Sequence, residues 1–376
     1  MMKKLLIVNN NLDMGGIQKS LISFLNAACK HYDITLLLFS KSGPLLNDVP
    51  KEVKVISPSG VYRMLGLTKQ ELTGFPILFV IKSFLIMFAK VFSRRSAMRL
   101  LGLFQRKITG YDTVISYTHL SHHNYFWNGS GDFVLDKTIC DNKICLIHCD
   151  YLNSGCLSEK NNKEYAQFDK IACCSESVRS RFIEGANINP DKVYTLRNFY
   201  DLDIAKLSND NPYIYDSNFI NIVTVARLSA EKGIGRAIDA LFNTKRTDIR
   251  YYVVGNGPQK NMLSDKIKGY GMEKQVFLLG EHHNPYRYLR NADYLLLPSF
   301  HEAAPIVFDE ANILGLNVIT TNTTSASEML KSGGDIVCDN SEEGIANALL
   351  ALKKTAMQKE AYSDNTMQLK QLSNLI

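Results

Sequence analysis

The chain has 376 residues, more than one ordinary core needs and enough for two domains. Hydrophobic residues make up 45% and charged residues 21%, a soluble globular balance without disordered or repetitive tracts. The net charge of +6 is too mild to argue for nucleic acid, although a local basic cluster would still attract phosphates or an anionic membrane.

The N-terminus, MMKKLLIVNNNLDMGG, begins like a signal peptide, but its apolar run stops at Val8 and asparagines follow. That run is too short for secretion, so it reads as a first buried strand of a cytoplasmic protein. Strands are predicted at Leu5–Asn9, Ile34–Phe39, Val53–Ile56, Thr113–Tyr117, Ile144–His148 and Lys170–Cys174. A second set follows at Ile220–Ala226, Arg250–Gly255, Val276–Gly280, Tyr294–Pro298 and Asn317–Thr321. Near-continuous β-branched runs separated by helical stretches predict an α/β chain with two doubly wound parallel sheets in succession. The polar stretch LSNDNPYIYDSN suits a linker, which gives an N-terminal domain over 1–200, a linker over 201–218 and a C-terminal domain over 219–355. Ligands of such sheets bind outside the carboxyl ends of the strands, so the cleft facing both domains is the expected site.

The segment 61–107 does not fit the alternation. Its apolar stretch Phe75–Phe92 is interrupted by Lys82 and Lys90, and Arg94, Arg95, Arg99, Arg106 and Lys107 follow. No acidic residue occurs between Glu71 and Asp112. The favoured reading is a helix lying in an anionic membrane interface; a buried helix pair and a membrane span come after it, because a span would bury Lys82.

The eight cysteines form no Cys-x-x-Cys pair. Cys140, Cys145, His148 and Cys149 cluster, but no second pair stands at metal-ligand spacing, so reduced thiols and no metal are expected.

Chemistry concentrates just beyond the predicted strand Tyr294–Pro298. Glu302 and Glu310 bracket Pro305, which favours a helix's first turn. The expected arrangement is a loop at Ser299–Ala304, a helix from about Pro305, and free N–H groups at Ile306 and Val307 that suit a phosphate. Arg227 ends the strand INIVTVA and Lys232 follows at a helix start, two cations suited to a diphosphate. Gly15 and Gly16 break between the first strand and the next helical run, where a backbone can approach a ligand. Gly255-Asn256-Gly257-Pro258 is another strand-to-turn break and reads as structural. His148 ends the strand ICLIH, where it suits either a base or a structural role. His119, His122 and His123 look like a polar helix start.

Taken in order, VARLSAEKGI, VVGNGP, FLLGEHH, ADYLLLPSFHEAAPIVFDEANILGLNVITT and SASEML resemble family 4 of the glycosyltransferases, which has the GT-B fold. The first half adds NNNLDMGGIQKS, IHCDY, CCSESV and LRNFYD. The resemblance implies that Arg227 and Lys232 bind the phosphates of a nucleoside diphosphate sugar, Glu302 faces the sugar and Glu310 holds the ribose. It implies that Ala304, Pro305, Ile306 and Val307 contact sugar and phosphate through their backbone, and that Gly15 and Gly16 admit the donor. His148 would touch the sugar or assist the acceptor. It further implies a retaining hexosyltransferase that requires no metal, with the tail 356–376 returning to the first domain. A saccharide or lipid-linked saccharide acceptor, in bacterial polysaccharide or glycolipid assembly at the inner face of the cytoplasmic membrane, fits the basic apolar segment. Ala303 and Ala304 stand where many members carry glycine, which narrows the sugar's space. A sugar-nucleotide epimerase of the same fold and a non-catalytic partner subunit are the alternatives; a phosphorylase would need a pyridoxal phosphate lysine motif that the sequence lacks.

Overall fold

The computed structural model describes residues 2–330, 333–354 and 364–376. The chain divides into two compact units, Met1–Phe199 with Asn365–Ile376, and Tyr200–Asp364.

The first unit holds a seven-stranded sheet in the order β3-β2-β1-β4-β5-β6-β7. Its strands are β1 (Lys4–Asn9), β2 (Asp33–Leu38), β3 (Lys54–Ile56), β4 (Thr113–Ser116), β5 (Lys143–Ile147), β6 (Lys170–Cys173) and β7 (Val193–Thr195). Every pairing is parallel. Leu5 to Val8 are wholly buried, as a strand covered on both faces requires.

The second unit holds a six-stranded parallel sheet in the order β10-β9-β8-β11-β12-β13. Its strands are β8 (Ile220–Val225), β9 (Ile249–Val254), β10 (Val276–Gly280), β11 (Tyr294–Leu297), β12 (Asn317–Thr321) and β13 (Ile336–Cys338). The strand order reverses between β1 and β4 in one unit and between β8 and β11 in the other. Both units are therefore Rossmann-like, with a switch point at the carboxyl edge where ligands of open α/β sheets bind. The eleven predicted strands are present with ends that differ by at most one residue. The short outer strands β7 and β13, three residues each, carry too little pattern to be read from sequence.

The stretch 201–218, expected as a linker, packs onto the second unit instead. It carries a helix at Ile204–Ser208, whose Ile204 is buried beside Leu289 and Phe308. Tyr213 and Tyr215 pack on Tyr252, and their rings supply the apolar anchor that the polar composition hid. Part of the tail expected over 356–376 lies outside the described residues. The rest forms the helix Thr366–Leu375, with Leu372 and Leu375 buried among Leu5, Phe24 and Ile144 of the first unit.

The segment 61–107 folds as short helices at Arg63–Gly66 and Lys69–Thr73, then Pro76–Val91 and Arg94–Leu101. Its positive charges divide into two groups. Arg94 is buried against Asp132 at 2.9 Å and against Glu164, and Arg95 pairs with Asp136 at 3.0 Å. Lys82 turns to donate to Met64 O at 2.7 Å, and burial pushes its pKa down. Lys90, Arg99, Arg106 and Lys107 remain exposed. Among the described residues no helix is long and apolar enough to cross a membrane.

Candidate active site

Strand β8 runs beside β11, with Ile222 opposite Tyr294 and Val223 opposite Leu295, so the segments leaving the two strands emerge side by side. Beyond β8 the chain is fixed by the Gly255–Gly257 turn. Gly255 has φ +148, and a Cβ there would lie 1.9 Å from Ala226 O. Leu228 N–H donates to Asn256 O at 3.0 Å. The glycines of that turn thus brace the segment that carries Arg227, whose side chain is exposed.

A 3-10 turn at Ala230–Lys232 leads to Gly233, which has φ +64 and would place a Cβ 2.0 Å from Pro298 O. Only glycine meets both conditions. Arg236 donates to the same Pro298 oxygen through Nε and Nη2, at 3.0 and 2.8 Å, and its guanidinium lies 3.7 Å from the Phe300 ring centroid. Phe300 N–H donates to Glu231 O at 2.9 Å, and Thr321 Oγ1 donates to Ser299 O at 2.5 Å. The loop after β11 is therefore held by groups from three neighbouring segments.

That loop brings Glu302 to Lys232. Lys232 Nζ lies 2.6 Å from Glu302 Oε1, and Ser299 Oγ donates to the same oxygen at 2.6 Å. Glu302 and Ser299 are buried, and Lys232 is partly exposed. The helix that follows spans Ile306–Ile313, with Pro305 as its cap in extended conformation. Pro305 thus precedes the first helical turn, where the sequence placed it inside: its ψ of 119° points its carbonyl away from the helical path. The N–H groups of Ile306 and Val307 lie in the first turn, where no intrahelical acceptor exists. Ala303 and Ala304 are partly exposed beside them.

Glu310, on the same helix, is buried and accepts a hydrogen bond from the Tyr286 hydroxyl. That hydroxyl also stands 3.4 Å from Asp201 Oδ2. Burial first, then the two carboxylates, push the Tyr286 pKa well up, so it stays a donor. Lys232 and Glu302 thus meet, and Glu310 is organised separately by Tyr286. Sequence reasoning missed Ser299, Arg236, Tyr286 and Asp201; only the Lys-Gly pair at 232–233 carried a signal, a glycine just after a cation at a strand-to-helix turn.

On the first unit, Gly15 caps the helix Gly16–Ala28 in extended conformation, with φ 178. A Cβ on Gly15 would meet Gln18 Oε1 at 2.6 Å, whereas one on Gly16 would meet nothing within 4 Å. Asn11 Nδ2 braces the preceding loop by donating to Asp13 Oδ2 at 2.6 Å and to Gly66 O at 2.7 Å.

His148 directly follows β5. Its ring lies 5.3 Å from that of Tyr117 and bonds the Tyr117 backbone, while its Nε2 is buried and has no partner among the described residues. Burial, with His119 next, pushes its pKa down to about 3, so the imidazole is neutral. With Nδ1 donating to the Tyr117 carbonyl, Nε2 holds the free lone pair. The expected helix start at His119, His122 and His123 is a loop instead, in which Arg94 N–H donates to His123 O and Asn128 Nδ2 to His119 O. The cysteines near His148 diverge: Cys145 donates to Thr118 O at 3.6 Å, Cys140 to Asn142 O at 3.4 Å, and Cys149 interacts with Cys156. Among the described residues no three His, Cys, Asp or Glu side chains are placed to hold a metal ion.

Residues 210–368 match the family model described as Glycosyl transferases group 1. The chain is 27% identical over 183 residues, 48% of this chain and 40% of the relative, to the phosphatidylinositol N-acetylglucosaminyltransferase gpi3 subunit of Schizosaccharomyces pombe. It is 25% identical over 203 residues, 53% of this chain and 57% of the relative, to the amylovoran biosynthesis glycosyltransferase AmsD of Erwinia amylovora. The matched stretches thus span about half the length of these relatives. The fold is similar to that of Anabaena HepE in complex with UDP-glucose, with a TM-score of 0.63 at 17% identity over 92% of this chain and 88% of that one. With two Rossmann-like units in succession the chain has the GT-B fold, and the Lys232–Glu302 edge lies inside the region that is similar to the group 1 glycosyltransferases.

Proposed function

We propose that the protein is a retaining glycosyltransferase that moves a hexose from a nucleoside diphosphate sugar to an acceptor hydroxyl on a saccharide or lipid-linked saccharide. The observation that carries this reading is the Lys232–Glu302 pair at the switch point of the second sheet, next to a helix N-terminus. In the proposed reaction the bond from the sugar's C1 to the phosphate oxygen breaks and a bond from C1 to the acceptor oxygen forms. The acceptor proton passes to the departing diphosphate. Arg227, Lys232 and the N–H groups of Ile306 and Val307 stabilise the negative charge that develops on the leaving group. With these groups in place the proposal requires no metal.

Glu310, held by Tyr286, is assigned to the ribose hydroxyls, and Glu302 to the face of the donor sugar. Gly15 and Gly16 are assigned to letting the backbone of the first loop approach the donor, and neutral His148 to accepting a hydrogen bond from a sugar or acceptor hydroxyl. The complex of HepE with UDP-glucose supports a nucleotide sugar as donor. The naming of AmsD for amylovoran biosynthesis and of gpi3 for phosphatidylinositol supports a polysaccharide or lipid-borne acceptor.

The test is a screen of UDP-, GDP- and ADP-sugars by thermal shift, followed by incubation with glycolipid acceptors and NMR of the product's anomeric proton. One donor should raise the melting temperature, as a ligand of the native state does, and yield a product with the donor's anomeric configuration. An inverted product, conversion of the donor sugar to an epimer without acceptor, or no response to any donor would each overturn the proposal.

A further inference from the structure

We propose that the Pro76–Val91 helix is a docking surface for an anionic lipid bilayer, which it enters in the plane of the headgroups. This surface is independent of the transfer reading and stands or falls by itself.

The helix has two apolar faces. Leu85 and Ala89 are buried against the first unit, and Lys82 on that side is tied to Met64 O. The other face carries Ile77, Val80, Phe84, Met87 and Val91, at spacings of three and four residues, and each is between 56% and 76% exposed. Large apolar side chains at that spacing form one continuous stripe along a helix. The stripe is extended in sequence by exposed Phe92, Leu103 and Phe104. A monomer in water rarely leaves so much contiguous apolar surface uncovered.

Charge selects the partner. From the Pro76–Val91 helix to the end of the segment the exposed charged side chains, Lys90, Arg99, Arg106 and Lys107, are all positive, Arg99 also meeting Asp136 at 3.2 Å, and no acidic residue lies between Glu71 and Asp112 in the sequence. A second copy of the helix would suit the spacing but would set cation against cation. An anionic bilayer offers hydrocarbon to the stripe and phosphate to its rim. Trp127, exposed and 5.9 Å from Lys82 Nζ, adds an amphipathic ring of the kind that settles at headgroup level. The cytoplasmic leaflet is the anionic one, which places the protein peripherally at the inner face of the membrane.

The test uses the full chain and sedimentation with vesicles of phosphatidylcholine alone or with phosphatidylglycerol. Binding should require phosphatidylglycerol and fall severalfold when salt rises from 50 to about 300 mM, as screening dictates. The double substitution Phe84→Ser, Met87→Ser should lower the partition coefficient at least tenfold while the melting temperature stays unchanged, because both side chains are exposed. Lys90→Glu, Arg106→Glu should weaken binding to anionic vesicles and leave the apolar stripe intact. No binding to anionic vesicles, equal binding by the Ser variant, or a concentration-dependent dimer that the Ser variant abolishes would each overturn the proposal.

Discussion

Lys232 Nζ and Ser299 Oγ converge on one oxygen of Glu302, each at 2.6 Å. The pair links the segment after β8 to the loop after β11, so a cation assigned to phosphate and a carboxylate assigned to the sugar share one geometry. A leaving diphosphate must draw on Lys232 without breaking that link. Lys232→Ala removes a charge from the leaving-group side and also strands a buried carboxylate. Expected losses are about 10²- to 10³-fold in kcat/KM and about 1–3 kcal/mol in stability. Glu302→Gln keeps an oxygen for Ser299 and should lose turnover with little change in melting temperature. Steady-state kinetics and urea unfolding of both variants separate the two effects; a fully active Lys232→Ala protein would remove it from the proposed site.

Gly233 holds that arrangement from below. Its φ of +64 and the 2.0 Å approach of a Cβ to Pro298 O make Gly233→Ala strained twice over. Backbone strain of this kind costs about 1–3 kcal/mol, and the clash pushes the loop that carries Ser299 and Glu302. The expected result is a lower melting temperature with a loss of turnover larger than the fraction unfolded explains. Differential scanning calorimetry beside kinetics on the same sample checks it, and a variant of unchanged stability would mean that the loop relaxes freely.

The two sheets and the switch-point position of Arg227, Lys232 and Glu302 were legible because parallel strands are continuous apolar runs and their carboxyl ends are marked by polar residues. What was not legible depends on partners far away in sequence. Arg236 reaches Pro298, and Tyr286 reaches Asp201, across 62 and 85 positions. Arg94 looked like part of a basic surface, yet it is buried against Asp132 and Glu164, because nothing local reports a partner 38 or 70 residues on. The stretch 201–218 was misread for a related reason: its polar residues obscured Ile204, Tyr213 and Tyr215, which need the second unit's core to reveal their role.

The Arg94 cluster gives a stability prediction. One guanidinium meets two buried carboxylates, and burial pushes both of them up despite the cation, Glu164 to about 7. Arg94→Met would leave Asp132 and Glu164 uncompensated, at a cost of about 3–5 kcal/mol. Adding Asp132→Asn and Glu164→Gln should recover a large part of that loss, since both buried charges then disappear together. A double-mutant cycle by urea unfolding measures the recovery. If the triple variant is no more stable than Arg94→Met alone, packing rather than charge holds the Arg94–Leu101 helix in place.

His148 gives a pH prediction whose sign follows from its environment. Burial lowers its pKa to about 3 from an ordinary value of 6.5. Above pH 6.5 the imidazole is neutral whether the chain is folded or not, and its contribution is fully present. Between 6.5 and 3 the unfolded chain takes up a proton that the folded chain refuses. Stability therefore falls as pH falls through that window, by up to about 1.4 kcal/mol per pH unit. His148→Asn should flatten this part of the urea-midpoint profile between pH 7 and 5. The same environment keeps the Nε2 lone pair available, so kcat/KM should show no inflection near pH 6.5 that His148→Asn removes. Such an inflection would mean that His148 titrates normally, and its assignment as a neutral acceptor of a sugar or acceptor hydroxyl would fail.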